Sequence, residues 1–149
     1  MNIVILTESK PQGVPGGSLI GGEWNLRQLN SISPQANWCS LDTDGYFTLK
    51  NGRYLITAHS IAIGVDSHKL RVRNIENDLT YSGLNCLAYS LQPNNSSTAH
   101  LIANVNISSQ RVSFALEHFC KRSVANLGKG FPVNNGDDEV YSTVSIQRL

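Results

Sequence analysis

The sequence predicts an all-β fold, a sandwich or barrel of antiparallel strands. Apolar residues recur at every second position in segment after segment, the signature of strands with one buried face. Turn-forming residues separate those segments at near-regular spacing. No stretch of twelve residues carries apolar side chains at helical spacing.

The elements follow in order. NIVILT (2–7) is the first strand candidate. QGVPGGSLIGGEWN (12–25) holds five glycines and one proline and is too broken for a core strand. Residues 1–22 therefore read as an extended N-terminal arm leading into a domain over 23–149, one whose loss up to residue 15 leaves that domain folded. YFTLK (46–50), RYLITAHSI (53–61), KLRVRNI (69–75) and LNCLAYSL (84–91) are the next candidates. Asp44-Gly45, Asn51-Gly52, Gly64, Ser82-Gly83 and Pro93-Asn94-Asn95 mark turns between them. AHLIANVNI (99–107) puts Ala99, Leu101, Ala103, Val105 and Ile107 on one face, and VSFALEHFC (112–120) does the same with Val112, Phe114, Leu116, His118 and Cys120. A second irregular stretch, 126–139, includes the turn Asn135-Gly136 and precedes a last strand, EVYSTVSI (139–146).

Composition narrows the function. The 149 residues suit one domain, and 15% charged residues with a net charge of +1 leave no basic footprint for nucleic acid. No apolar run approaches a membrane span, and the start lacks a basic segment of a secretory signal, so synthesis in the cytoplasm is expected. Cys39, Cys86 and Cys120 form no C-x-x-C pair and read as small hydrophobes.

HSIAIGVDSHKLRVRN (59–74) gathers His59, Asp66 and His68, but without H-x-x-x-H or H-E-x-x-H spacing it reads as strand, turn, strand with hydrogen-bonding histidines. His118 and Glu117 point to opposite faces of a strand. No G-x-S-x-G elbow is present. Asp137, Asp138 and Glu139 lack the EF-hand pattern and read as an acidic solvated loop. GGSLIGG and LGKGF lack the frame of a phosphate loop. Asn94, Asn95 and Asn106 begin N-x-Ser sequences that carry no meaning without a secretory signal. Lys69, Arg71 and Arg73 share one face of a strand and either meet solvent or meet acids on a partner. No catalytic, cofactor or metal site is assigned, and the chain reads as a non-enzyme.

The succession GGEWNLRQLN, GRYLI, HKLRVRN, FALEHFC and EVYSTVSI resembles a phage virion module over residues 16–149. It is similar to the jelly-roll domain of complement-globular-head and tumour-necrosis-factor-like trimers, found in capsid decoration (cement) proteins and tail-fibre tips. The resemblance implies a two-sheet antiparallel jelly-roll sandwich that forms a homotrimer. Trp24, Trp38, Tyr89, Phe119 and Tyr141 are then candidates for the trimer interface. A chain that begins almost at the head is expected to be a decoration protein on the capsid surface. Its arm, through Ile3, Val4, Ile5 and Leu6, would contact the major capsid protein. The alternative is a fibre-tip module that binds a host surface glycan or protein receptor, with the loop from Phe131 to Asp138 offering aromatic and polar groups.

Overall fold

The computed structural model describes residues 2–92 and 95–149; Pro93 and Asn94, with the turn and N-x-Ser sequence placed there, lie outside the described residues. Among those residues there are ten strands and no helix: β1 (Ile3–Lys10), β2 (Trp24–Leu26), β3 (Ser31–Ser33), β4 (Cys39–Leu41), β5 (Phe47–Ile63), β6 (Asp66–Asn74), β7 (Thr80–Ser82), β8 (Cys86–Ala88), β9 (Ser96–Cys120) and β10 (Glu139–Arg148). All pairings are antiparallel.

Two long strands make the sandwich. β5 and β9 pair along nearly their whole length, and the ladder shifts register between Lys50 and Gly52. Residues 47–50 pair with 111–114, whereas 52–63 pair with 96–107. The ladder bends there and passes from one sheet to the other, the rolled hairpin that defines a jelly roll. The first sheet runs β3, β1, β10, then the second part of β5 and the first part of β9. The second sheet runs β4, the start of β5, the end of β9, β6, then β7 and β8 on the far side, with β2 also on the end of β9. The sequence candidates 46–50 with 53–61, and 99–107 with 112–120, are thus two bent strands rather than four separate ones.

Alternation fills the space between the sheets. Val4, Leu6, Tyr54, Ile56, Leu101, Val105, Val144 and Ile146 face inward from the first sheet, and Phe47, Leu49, Leu70, Val72, Phe114 and Leu116 from the second. The rings of Phe47 and Phe114 stack at 5.5 Å. Of LNCLAYSL only β8 is strand, because Leu84, Leu87 and Leu91 face solvent and only Ala88 enters a buried cluster.

The N-terminal segment is not a free arm. β1 lies between β10 and β3, and Val4 and Leu6 are fully buried. The alternation of IVILT sends Val4 and Leu6 into the core, so of the four apolar residues expected to reach a neighbour only Ile3 and Ile5 face outward. Removing residues 1–15 takes a strand out of the first sheet. The two glycine-rich stretches expected to be irregular hold each other. Gly16, Gly17 and Leu19 donate backbone N–H groups to Gly130, Asn126 and Val124, and Lys129 and Val124 donate back to Gly17 and Leu19. A Cβ on Gly16 would lie 2.7 Å from the Lys129 backbone, which is why glycine stands there.

Candidate functional site

Register fixes what the first sheet shows outward. One row across its five strands reads Ser31, Thr7, Thr143, His59, His100. The next reads Ser33, Ile5, Ser145, Thr57, Ile102, and the one beyond it Ile3, Gln147, Leu55, Asn104. Across these rows there is no lysine, arginine or carboxylate side chain, and Arg53 stands opposite Asn106 at one end. A sheet face turned to water normally carries charged side chains; depletion of charge with exposed aliphatics is the mark of a contact surface. Ile102 is 73% exposed in the single chain. Beside the face, Val140, Phe131 and Val133 stand exposed with Ile61 around a concavity that also includes Asp137 and Asp138. Leu84 and Ile102 flank a second, apolar concavity at the opposite edge.

The outward face of the second sheet is different. Arg71 and Arg73 both reach Glu117 on the adjacent strand, at 2.8 and 3.0 Å, and Arg73 also meets Asp78 at 3.1 Å. The acids that the basic row required are therefore in the same chain. Glu117 titrates below the usual carboxylate range: burial raises it, and the hydrogen bonds and charges of Arg73 and Arg71 outweigh that. The Arg71 guanidinium lies 4.0 Å from the centre of the Trp24 ring, which in turn meets Phe119 at 5.4 Å.

The residues singled out in the sequence fall in different places. Trp24 and Phe119 are half-buried on that second face, and Tyr89 is exposed in the segment after β8. Trp38, only 4% exposed, packs on Tyr54 inside the core. Tyr141 is also covered by its own chain, and its hydroxyl donates to the Val14 carbonyl at 2.6 Å. Of the four arm residues only Ile3 and Ile5 face outward, onto the uncharged face. The acidic loop is partly committed: the Glu139 carboxylate accepts N–H groups from Gly13, Val133 and Asn134.

A polar network that the sequence did not reveal runs through one end of the sandwich. Arg27, between β2 and β3, is wholly buried. Its Nε and Nη2 donate to Glu8 Oε1 at 2.9 and 2.6 Å, and Nε also donates to Ser142 Oγ. Further donations reach the carbonyls of Ile61, Lys129 and Tyr141. Nη1 stands 3.4 Å from His118 Nδ1. An arginine only donates, so His118 carries its proton on Nε2 and gives it to His68 Nδ1 at 2.9 Å. His68 then donates from Nε2 to Ser97 Oγ at 2.7 Å. Both imidazoles are neutral in this arrangement. Burial, then the Arg27 charge, hold His68 down to about 4, and the same causes with His68 and Lys129 push His118 well below the usual histidine range. The three cysteines are free; burial pushes Cys39 up to about 12 and also raises Cys120, so neither is a thiolate near neutral pH. Among the described residues no group of three or more His, Cys, Asp or Glu side chains converges as metal ligands.

No family model and no curated protein matches this sequence. Solved structures match its fold from end to end. The vertex protein P5 of PRD1 matches with a TM-score of 0.52 at 17% identity, covering 99% of this chain and 96% of that one. Murine APRIL matches with a TM-score of 0.60 at 9% identity, covering 99% and 98%. Its fold is the tumour-necrosis-factor-like jelly roll. Eiger TNF from S. frugiperda matches with a TM-score of 0.52 at 16% identity, over 99% and 92% of the two chains. Coverage this complete on both sides means that the whole sandwich corresponds, not a shared hairpin. At such identities the jelly roll itself is what is held in common.

Proposed function

We propose that this chain is a non-enzymatic structural protein of a phage virion, a homotrimeric decoration protein that bridges major capsid subunits. The observation that carries the reading is the end-to-end likeness in fold to a vertex protein of a virion. The trimer is supported by the uncharged outward face of the first sheet. A single copy leaves Ile3, Ile102 and Val140 in water, and a closed threefold ring covers such a face by setting it against a different patch of the next copy. In this reading Ile3 and Ile5 belong to the contact between copies. Trp24, Phe119 and Tyr89 remain for neighbours outside the ring. A protein that binds only the assembled shell raises the cost of taking it apart by mass action.

A second reading has one observation in its favour. Leu84, Tyr89 and Leu91 stand exposed on either side of β8 and Leu87 on it, with Phe131 and Val133 in another connection. Loops of that kind suit a fibre-tip module that binds a host surface molecule. Two measurements test these readings, the first bearing on the trimer that both share and the second separating them. Mass in solution tests the trimer, expected at about 49 kDa for three chains of 16.3 kDa. Addition to purified capsids of the virus that encodes the chain tests decoration. Saturation at a fixed ratio with protection from heat supports it; adsorption to host cells with no uptake by capsids replaces it with the receptor reading.

A further inference from the structure

The chain contains two cross-strand imidazole pairs, and they are built for different ends. His68 and His118 are buried, and every ring nitrogen of that pair has a protein partner. His59 and His100 face each other directly across β5 and β9 on the outward face of the first sheet. Their Nδ1 atoms are 2.8 Å apart and their ring planes stand at 89°. His59 is half-buried and His100 exposed. Their neighbours across the strands are Thr143, Thr57, Ile102, Ile61 and Thr98, so no lysine, arginine or carboxylate in this part of the face competes for a ligand.

We propose that His59 and His100 form a two-imidazole site for a divalent transition-metal ion, with water in the remaining positions of a single chain and the facing patch of the next copy closing over them where the trimer forms. The metal-free spacing is near that of two ligands on one ion, and the affinity order of imidazole sites favours Ni²⁺ and Cu²⁺. With metal–nitrogen bonds of about 2.05 Å, nitrogens 2.8 Å apart subtend about 86° at the metal. That is the angle between adjacent ligands of an octahedral or square-planar ion such as Ni²⁺ or Cu²⁺. Tetrahedral Zn²⁺ requires its two nitrogens to be about 3.3 Å apart. In the metal-free pair one ring holds its proton on Nδ1 and donates to the other. On binding, that ring carries its proton on Nε2 instead, through exchange with water, so both Nδ1 lone pairs reach the ion and no net proton is released. The sequence spacing hid the site because its ligands are 41 residues apart and are joined only by strand register.

The test uses the full chain stripped by chelator and titrated with NiCl₂ in a calorimeter. One Ni²⁺ per chain is expected, with Zn²⁺ binding more weakly. His59→Gln and His100→Gln should each weaken Ni²⁺ binding by about tenfold or more while the far-ultraviolet spectrum stays that of the parent. Cys86→Ser, which alters the half-buried thiol, should bind as the parent does. The site is overturned if Ni²⁺ does not bind at concentrations up to roughly 100 µM, too weak to matter by mass action. It is also overturned if the glutamine variants bind like the parent, if Cys86→Ser abolishes binding, or if Zn²⁺ binds more tightly. The proposal concerns one chain's own residues. Mass measured on the same samples keeps it distinct from the trimer: a one-chain mass with nickel bound removes only the trimer, and a trimer that takes no nickel removes only this site.

Discussion

Lowering the pH from 7 to 5 is expected to destabilise this fold through its interior imidazoles. His68 and His118 are neutral in the folded chain and bear on Arg27, so a proton on either ring places a second positive charge inside the sandwich. The unfolded chain meets no such barrier and takes up protons near the ordinary histidine value of about 6.5. For a base held down by folding, stability is intact above 6.5 and falls as the pH drops toward the folded value, about 4 for His68. The loss is about 1.4 kcal/mol per pH unit for a ring that stays neutral when folded. Across the interval from 6.5 to 4, His68 alone therefore costs up to about 3 kcal/mol, nearer 2 after allowing for solvent screening at its Ser97 end. His118 adds a loss of the same sign. Glu117 and Glu139 titrate lower in the folded chain than in the unfolded one, so their contribution is complete above about 4.5 and is lost only below it. The interval from 6.5 to 4.5 thus belongs to the imidazoles. Urea unfolding followed by tryptophan fluorescence at pH 7.5, 6.5, 5.5 and 4.5 measures it. Midpoints that stay level from 7.5 to 4.5 would refute the neutral-pair assignment, as would a His68→Gln variant with the same acid response as the parent.

Two further outcomes follow from the geometry. Gly130 sits at φ +142°, and a Cβ there would fall within the ring of Tyr141, so Gly130→Ala should lower stability by about 2 kcal/mol or more, read from the urea midpoint. Ile102→Asp puts a charge on the uncharged face without touching the core, so it should leave the far-ultraviolet spectrum unchanged and reduce the mass in solution to one chain; a variant that keeps the parent's mass would move the contact elsewhere.

The fold was legible where side chains alternate against a single core. The 99–107, 112–120 and 139–146 segments are strand as expected, and the position of Asn51 and Gly52 marks where the long ladder bends. The four short strands β2, β3, β4 and β7 were not seen, because three residues are too few to show a period. The N-terminal stretch is hard to read from sequence for a related reason. Glycines in 12–25 signal broken structure, but Gly16 and Gly21 mark close approach to the backbone of 129–130 and 121–123, contacts made across about a hundred residues of chain. The imidazole pairs and the Arg27 network were hidden for the same reason: each joins residues whose proximity depends on register. What the sequence did hold was the facing of side chains along β9, including the separation of His118 from Glu117; in β10 the irregularity opposite Glu8 and Ser9 turns Val140 outward and Tyr141 inward.

The Arg27 network should resist the substitution that usually rescues a buried ion pair. Replacing both partners by apolar residues of similar volume is often neutral, because the desolvation of two charges is removed together. Here Glu8 accounts for only part of what Arg27 bonds. Its guanidinium also satisfies Ser142 and the carbonyls of Ile61, Lys129 and Tyr141, which belong to three different segments. Burial lowers the guanidinium pKa, while the Glu8 charge and hydrogen bond oppose that shift. A methionine at position 27 removes a donor from the carbonyls of Ile61, Lys129 and Tyr141, at a cost of about 1–3 kcal/mol for each one left unpaired where water cannot reach, whereas Ser142 keeps its bond with Ser60. Lysine does not replace the fork either, since its three donors radiate from one atom. Arg27→Met is therefore expected to lose about 3–5 kcal/mol, and Glu8→Leu combined with Arg27→Met should recover little of it. A double variant with the parent's urea midpoint would show that the charge pair alone matters. A persistent deficit would show that the guanidinium acts as a hub that ties β1, β5, β10 and the 124–130 segment into one register, and so holds the outward face of the first sheet in shape.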